Sequence, residues 1–357
     1  MYLDPEREAA WRASAARLLR AEVTAMEPIG GGRNSRVYRL RAADGPTAVL
    51  KAYFQHADDH RDRLGTEFTA LSFLWDNGVR AIPRPQAMDR EAGFALYEYV
   101  EGQKLSGTRL AVAEIDQAVD FLVALRELKD RPGSDALPPA SEACFSVQAL
   151  EASLRGRLNR LVGVPPISAP QAGLHRFLLE SLVPGLDRLL TWGRARLAEA
   201  ELSFEADLPR AERTLSPSDF GFHNALRRPD GQLVFLDFEY FGWDDPAKMV
   251  SDMLLHPAMN LAEVWKWRFA RRLWLAWGTP PGLQRRVEVV YPLWGVKWCL
   301  ILLNEFLPDH LQRRQFAGRA SEVEVSQAVQ LAKAEQLWQT LVSDYEHFSY
   351  FNESPAG

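Results

Sequence analysis

The stretch Ser216 to Phe238, S-P-S-D-F-G-F-H-N-A-L-R-R-P-D-G-Q-L-V-F-L-D-F, gathers residue types that hold hard cations and move protons. Arg228-Pro229-Asp230-Gly231 is a turn signal between Ala225–Arg227 and Gln232–Phe238, so a β-hairpin is expected. A midpoint between Asp230 and Gly231 sets Asn224 opposite Asp237, with side chains about 5 Å apart at their base. An amide oxygen and a carboxylate at that separation suit one hard cation, with water or phosphate oxygens completing an octahedral shell. Asp219, five residues before Asn224, sits in a loop where it could reach a hydroxyl beside that metal. A plainer account makes Asp219 and Asp230 turn residues and Asp237 a solvated strand end.

Further toward the amino terminus, Ile29-Gly30-Gly31-Gly32-Arg33-Asn34-Ser35 lies just before an alternating strand. Glycines there let backbone N–H groups approach phosphate oxygens, although a triple glycine is also what a flexible turn looks like. Lys51 occupies the next strand, sharing a face with Val49 and Tyr53, while Leu50, Ala52 and Phe54 share the other. An inward lysine needs an anionic partner, because an unpaired buried charge is costly. Glu67, one turn before Leu71 on the apolar side of its helix, is the candidate. The alternative is a lysine that snorkels to water and a surface glutamate.

The glycine-rich loop, Lys51, Glu67, a hinge strand, Asp219, Asn224 and Asp237 follow the order of the protein-kinase parts. The chain resembles the aminoglycoside phosphotransferase and choline kinase branch of the kinase-like fold, from about Met26 to Asp252. The resemblance is carried by D-x-x-x-x-N at Asp219 to Asn224, Leu236-Asp237-Phe238, Gly242-Trp243-Asp244-Asp245-Pro246, and G-G-R-N-S-R-V-Y at Gly31 to Tyr38. It implies an α+β, bilobal protein-kinase-like fold and Mg·ATP-dependent transfer of the γ-phosphoryl group to a hydroxyl of a small molecule. GTP is an alternative donor, and the acceptor would be of aminoglycoside, amino-alcohol or sugar type.

By the same resemblance, Asp219 would accept or orient the acceptor hydroxyl, and Asn224 and Asp237 would hold Mg²⁺. Gly31, Gly32, Asn34 and Ser35 would lie against the nucleotide phosphates. Lys51, positioned by Glu67, would pair with the α/β-phosphates, and backbone groups from Glu98 to Val100 would hold the base. Asp245 and Asp252 look like struts for the catalytic loop. Two departures stand out. Pro217 and Ser218 occupy the places of the family's His-Gly before the catalytic Asp, and Glu239 follows Phe238 where a glycine is usual. The first favours a rival reading, a degenerate pseudokinase-like module that binds a nucleotide or metabolite without transfer. A protein-kinase reading is disfavoured, because no activation-loop and A-P-E stretch follows Asp237.

The elements that must position these residues are legible in outline. Met1 to Thr24 reads as an amphipathic helix. Arg36 to Arg41, Thr47 to Phe54 and Phe94 to Val100 read as strands, with a helix over Thr66 to Trp75. Ala111 to Lys129, Val147 to Val162 and Leu174 to Ala200 are helical, and Pro184-Gly185 is expected to kink or split the last of these. From Ala247 the pattern is helical to the end, with a break near Gly278 to Gly282. Residues 1–102 are the expected nucleotide-binding lobe, and residues 103–357 the larger helical lobe with the catalytic loop and acceptor site. The hinge is placed at Glu98 to Gly102.

Composition bounds the function. The 357 residues exceed what one core usually holds, and 47% hydrophobic with 25% charged is ordinary for a globular protein. A net charge of −5 argues against general nucleic-acid binding. Two cysteines make no disulfide framework, and with no signal peptide visible a cytoplasmic setting is expected. The longest aliphatic run, Leu300 to Leu303, is too short for a membrane span. His56 and His60 lack the further ligands of a zinc set, and His223 either lines the acceptor pocket or supports its loop. Trp265, Trp267, Trp274, Trp277, Trp294 and Trp298 suit a core or an aromatic acceptor cage, Trp294 and Trp298 sharing a helix face. Glu239, Asp244 and Glu305 read as an acidic rim or as groups that greet a cationic substrate.

Overall fold

The computed structural model describes residues 5–31, 35–43, 45, 47–53, 61–105, 110–308 and 323–352. Contacts divide the chain into two compact units, Met1–Glu142 with Leu215–Trp243, and Ala143–Thr214 with Asp244–Gly357.

The first unit is built on a five-stranded antiparallel sheet, ordered β1-β2-β3-β5-β4, from Val23–Gly31, Ser35–Ala42, Ala48–Tyr53, Pro85–Asp89 and Phe94–Glu98 in chain order. Period-two alternation in β3 decides what each face meets. Ala48, Leu50 and Ala52 join Leu40, Phe94 and Leu96 in a core closed by Trp11 and Ala15 of helix α1, Pro5–Leu19. The Trp11 indole N–H donates to the Ala92 carbonyl at 3.0 Å, which gives this large ring a polar partner. Lys51 and Tyr53 point the other way, toward Glu67 of helix α2, Arg63–Asp76. Phe54, assigned from the sequence to the opposite face, lies outside the described residues, as do His56 and His60.

Two strands lacked a sequence signal. β4 carries the polar Gln86 and Asp89 at the sheet's edge, and β1 carries Pro28, a residue that sheets accept on edge strands. The amino-terminal helix accordingly ends at Leu19, before Thr24, with Arg20 left-handed at φ 54°.

The same unit holds a second, three-stranded sheet of β6 (Gln103–Lys104), β8 (Ala225–Arg227) and β9 (Leu233–Phe235). Between β6 and β8 in the chain, Thr214–Ser216 forms β7. Helix α3, Val112–Glu127, braces the β8–β9 hairpin. Its Gln117 amide donates to the Gly231 carbonyl at 3.2 Å and accepts from the Leu233 N–H at 2.8 Å. One turn further on, Phe121 packs against Phe220, Phe235 and Phe238 at 5.7, 4.6 and 6.2 Å between ring centroids. These contacts fix where the residues flanking the hairpin emerge.

The second unit is helical. Helix α4, Val147–Val162, coincides with its sequence reading, and the Ser146 hydroxyl caps it by accepting the Ala149 N–H. The helix expected over Leu174 to Ala200 is instead Ala169–Phe177 (α5), a π-helical segment Leu178–Leu182, and Val183–Ala198 (α6). The break precedes Pro184, because a proline supplies no N–H to the carbonyl four residues earlier and its ring crowds that group. Gly185 has a separate reason: a Cβ there would lie 2.1 Å from the Trp338 ring.

Helices α7 (Pro246–Leu255), α8 (Glu263–Ala276) and α9 (Pro281–Leu302), with the last helix Val323–Ser343, complete the unit. The segment Gly282–Phe306 is long and apolar enough to cross a membrane by length and composition, which the short aliphatic run did not suggest. It is 67% buried over its most apolar window and packs as the core of this unit. Of the six tryptophans, Trp274 and Trp294 are buried and the other four are half-buried. Glu239, Asp244 and Glu305, expected at an acidic rim, are all buried.

Candidate active site

Lys51 is the centre of the site. Its ammonium donates to Glu67 Oε2 at 2.6 Å and to Asp237 Oδ1 at 2.7 Å. The Lys51 and Glu67 side chains are only 10% and 4% exposed, whereas the Asp237 carboxylate is 39% exposed. Burial alone would lower the ammonium's pKa; Glu67, Asp237 and Glu239 outweigh it and hold the value well above the usual 10.5. The Tyr53 hydroxyl donates to the same Glu67 oxygen at 2.8 Å and lies 2.8 Å from the Tyr97 hydroxyl. Glu67 is therefore fixed by two donors from one strand, Lys51 and Tyr53, two residues apart. The snorkelling alternative for Lys51 is excluded by these contacts.

The loop leading to Asp219 takes an uncommon path. Ser218 is left-handed at φ 67°, a region that costs any residue with a Cβ. Its hydroxyl donates to the Ser141 carbonyl at 2.7 Å, and its N–H donates to the Ser216 hydroxyl at 3.0 Å. Ser218 thus adopts a backbone that glycine enters freely and adds a side-chain tether that glycine lacks.

Beyond it, Asp219 is 39% exposed, with Oδ1 3.1 Å from His223 Nε2. The Asn224 amide donates to the Asp219 carbonyl at 3.0 Å and faces Asp219 Oδ2 at 3.4 Å. With its NH₂ so directed, Asn224 offers Oδ1 as its remaining polar atom. His223 touches Asp219 within the loop, a contact open to either role expected of it.

Asn224 and Asp237 do not face each other across the hairpin as the midpoint argument expected. The register is Ala225↔Phe235, Leu226↔Val234 and Arg227↔Leu233, and the Leu236 N–H donates to the Asn224 carbonyl. Leu236 is therefore the residue opposite Asn224, and Asp237 lies one position beyond. The cause is the loop: the Gly231 N–H bonds the Arg228 carbonyl, and Gly231 turns left-handed at φ 86°. A type I turn followed by a left-handed glycine makes a three-residue loop, whose centre is Asp230. Asp237 comes back toward Lys51 because it too is left-handed, at φ 67°.

The remaining sequence-predicted residues are less concentrated. Gly31 ends β1 opposite Arg36, and Ser35 opens β2 opposite Tyr53; Gly32 and Asn34 lie outside the described residues. Glu98 ends β5. Its N–H is bonded to the Arg84 carbonyl, and its carboxylate accepts from the Arg84 N–H at 3.2 Å and Arg228 at 3.1 Å. Val100 is buried just beyond it. In the helical unit, Asp245 caps α7 through the Ala247 N–H and accepts from Arg286 Nε at 2.7 Å. Asp252 accepts from the indoles of Trp294 and Trp298, the pair expected on one helix face.

One site neighbour, Arg63, escaped the sequence reading, and Glu239 was read as an acidic rim or a group greeting a cationic substrate rather than as a buried neighbour of Asp237. Glu67, Asp237 and Glu239 each bring a carboxylate oxygen within 4.8 Å of the others, and Arg63 Nε lies 3.7 Å from Glu239 Oε1. The available signals were Glu239 in place of a glycine and Arg63 one turn before Glu67. The accessible oxygens of Asp237 and Asn224 are hard donors of the kind Mg²⁺ prefers, and Lys51 is an ammonium of the kind a phosphate requires. The residues present fit both groups.

Residues 25–288 match the sequence model of the phosphotransferase enzyme family, about three quarters of the chain. The chain belongs to that family. No curated protein matches it by sequence. Among solved structures, this phosphotransferase-family chain is similar to the choline kinase LicA from Streptococcus pneumoniae, at 16% identity and a TM-score of 0.58, covering 94% of this chain and 99% of that one. It is similar to spectinomycin phosphotransferase APH(9)-Ia in complex with ADP and spectinomycin, at 12% identity and TM-score 0.62, covering 94% and 98%. An aminoglycoside phosphotransferase from Alicyclobacillus acidocaldarius follows at 16% identity and TM-score 0.57, covering 98% of each chain. The fold is the α+β, bilobal kinase-like fold expected from the motifs.

Ser218→Ala keeps the left-handed strain and loses the tether, whereas Ser218→Gly loses both the tether and the strain. Urea denaturation should show the alanine variant less stable than the glycine variant by roughly 0.5–1 kcal/mol; the reverse order would remove strain from the account. The ionisable cluster predicts alkaline sensitivity. Lys51, with its folded pKa raised, supplies stability that is whole below 10.5 and lost as pH rises through the folded value. Burial and the adjacent Glu67 push Tyr53 well above the usual 10.0, so the folded chain keeps a proton that the unfolded chain releases, with the same sign. Melting temperature should fall as pH rises past about 10, and fall less steeply in Tyr53→Phe. Equal slopes would remove Tyr53 as a contributor.

Proposed function

We propose that this chain is an Mg·ATP-dependent phosphotransferase that moves the γ-phosphoryl group to a hydroxyl of a small molecule. The carrying observation is the buried Lys51 ammonium bridging Glu67 and Asp237, in the same compact unit as the Asp219-to-Asn224 loop. Family membership supports a small-molecule kinase, and the ADP and AMP named for solved relatives support an adenine nucleotide as donor.

In this reading residues 1–102 carry the nucleotide, with Gly31, Gly32, Asn34 and Ser35 at its phosphates and Glu98 to Val100 at its base. Residues 103–357 carry the catalytic loop and the acceptor. Lys51 pairs with the α/β-phosphates and Glu67 orients it. Mg²⁺, held by Asn224 Oδ1 and the Asp237 carboxylate, would supply neutralisation of phosphate charge. Asp219, oriented by His223 and the Asn224 amide, takes the acceptor hydroxyl's proton as the new O–P bond forms and the bond to the departing ADP breaks. The gain comes mainly from positioning and electrostatics. The acceptor class spans aminoglycosides, amino alcohols and sugars, and a cytoplasmic setting would supply the nucleotide.

The rival reading, a degenerate binding module, drew on Pro217-Ser218. Ser218's own bonds to Ser141 and Ser216 support a loop held by different contacts rather than one that has lapsed.

Thermal stability with ATP and GTP, with and without Mg²⁺, tests the nucleotide site. Saturation at 100 times Kd should add about 2.7 kcal/mol. The magnesium-dependent gain should vanish in Asp237→Ala, and unchanged affinity there would sink the metal assignment. Asp219→Asn should keep the gain yet lose at least ~10²-fold in turnover across an acceptor panel. Retained turnover would remove Asp219 as base.

A further inference from the structure

Helix α2 reaches the Asp237 segment twice. Glu67 does so through Lys51, whose ammonium is shared with Asp237. One turn earlier on the same helix, Arg63 Nε lies 3.7 Å from Glu239 Oε1, and the two side chains are 5% and 4% exposed. Tyr240 belongs to the same cluster: its phenol is pushed up to about 12, by burial first and then by the adjacent Glu239, with Arg63 opposing. Between the two anchors Phe238 is fully buried, its ring against Phe121 and Phe241 at 6.2 and 5.9 Å. Asp237 itself is left-handed at φ 67°, a conformation that persists only where its surroundings over-determine it.

We propose that Arg63 is a positioning residue for the metal–nucleotide site: by holding Glu239 it fixes the backbone that aims the Asp237 carboxylate. Arg63 touches neither substrate nor metal in this arrangement. It acts through Glu239, two residues beyond Asp237, while Lys51 restrains the Asp237 side chain directly. Stability alone gives little reason for the pair, since well-packed apolar residues of similar volume serve as well or better than a buried ion pair. A charged pair adds direction: Glu239 is held facing the Arg63 guanidinium, four residues before the glutamate that orients Lys51. One helix thereby sets both the phosphate-facing ammonium and the metal-facing carboxylate. This inference rests on the phosphotransferase reading.

The test titrates Mg²⁺ against the ATP-induced rise in melting temperature for the full chain, as wild type, Arg63→Gln, Glu239→Gln and both together. Groups that orient a metal ligand change metal affinity by roughly 10–100-fold when lost. Each single variant should therefore raise the half-maximal Mg²⁺ concentration about tenfold or more. The double variant should shift no further than the larger single, because both changes break one contact. If Arg63→Gln fails to fold, Arg63→Met with Glu239→Leu removes the charges while filling the space, and the same shift is expected. A role confined to stability would lower the melting temperature without moving the Mg²⁺ midpoint, and that result overturns the proposal. So does a shift in Glu239→Gln alone, which would place Glu239 on the metal itself, or a double-variant shift equal to the product of the singles. A wild type with no Mg²⁺-dependent gain from ATP or GTP removes the phosphotransferase reading and this inference with it. A responsive wild type beside an unshifted Arg63→Gln removes only the inference.

Discussion

A single ammonium group, taken out of water, sets the terms for the rest of the site. Lys51 enters a sheet position whose neighbours are closed to solvent, and such a charge persists only with anions within hydrogen-bond reach. Glu67 and Asp237 meet that need from a helix and from the far side of the hairpin, 16 and 186 residues away in the chain. The demand of one cation thus draws together sheet, helix and hairpin. Tyr53 and Tyr97 extend the network by satisfying Glu67 without adding charge. Asp237, the more exposed carboxylate, is the partner with an open side, which is what a site that exchanges ligands requires.

A second layer of constraint comes from backbone conformation. Ser218 and Asp237 both lie in the left-handed region, one just before Asp219 and the other after the hairpin. Neither is a glycine, so each bend is held by contacts: Ser218 by its tether to Ser141, Asp237 by Lys51, with Phe238 sunk into the aromatic cluster beside it. The Gln117 amide and the Phe121 ring, one turn apart on α3, hold the hairpin's tip and base. The geometry at the site is therefore shared between Lys51 and packing from α3 and Ser141 outside it.

Much of this was legible in the sequence, for identifiable reasons. An inward lysine on an alternating strand demands an anion, and a glutamate on the apolar side of the next helix is a specific candidate, so spacing named the Lys51–Glu67 pair as a candidate beside a snorkelling lysine, and the 2.6 Å contact decides between them. The α4 boundaries were equally plain, since Ser146 is a cap and Gly163 a stop. The hairpin register was not, because a turn signal does not say whether two or three residues form the loop, and that choice moves every opposing pair by one. Arg63 and the burial of Glu239 were hidden for the opposite reason: charged residues read as solvated until packing shows them buried together. Pro184 was a true break signal read too literally, the helix giving way one turn earlier, where the missing N–H is felt. The edge strands β1 and β4 gave no signal because Pro28 in the one and Pro85, Gln86 and Asp89 in the other are residues that read as turn or loop.

Helix α9 bears on how the chain is made. Its apolar length is hidden by neighbours on both sides in sequence, with the last helix so close that a Cβ on Gly295 would lie 2.4 Å from the Leu341 side chain. During synthesis, at about 5–20 residues per second, α9 emerges before that covering helix exists. For those seconds one side of a segment with the apolar length of a membrane anchor lacks the helix that will cover it. The interval ends only when Val323–Ser343 has been translated and docked, so that side of α9 closes only after nearly the whole chain has been made.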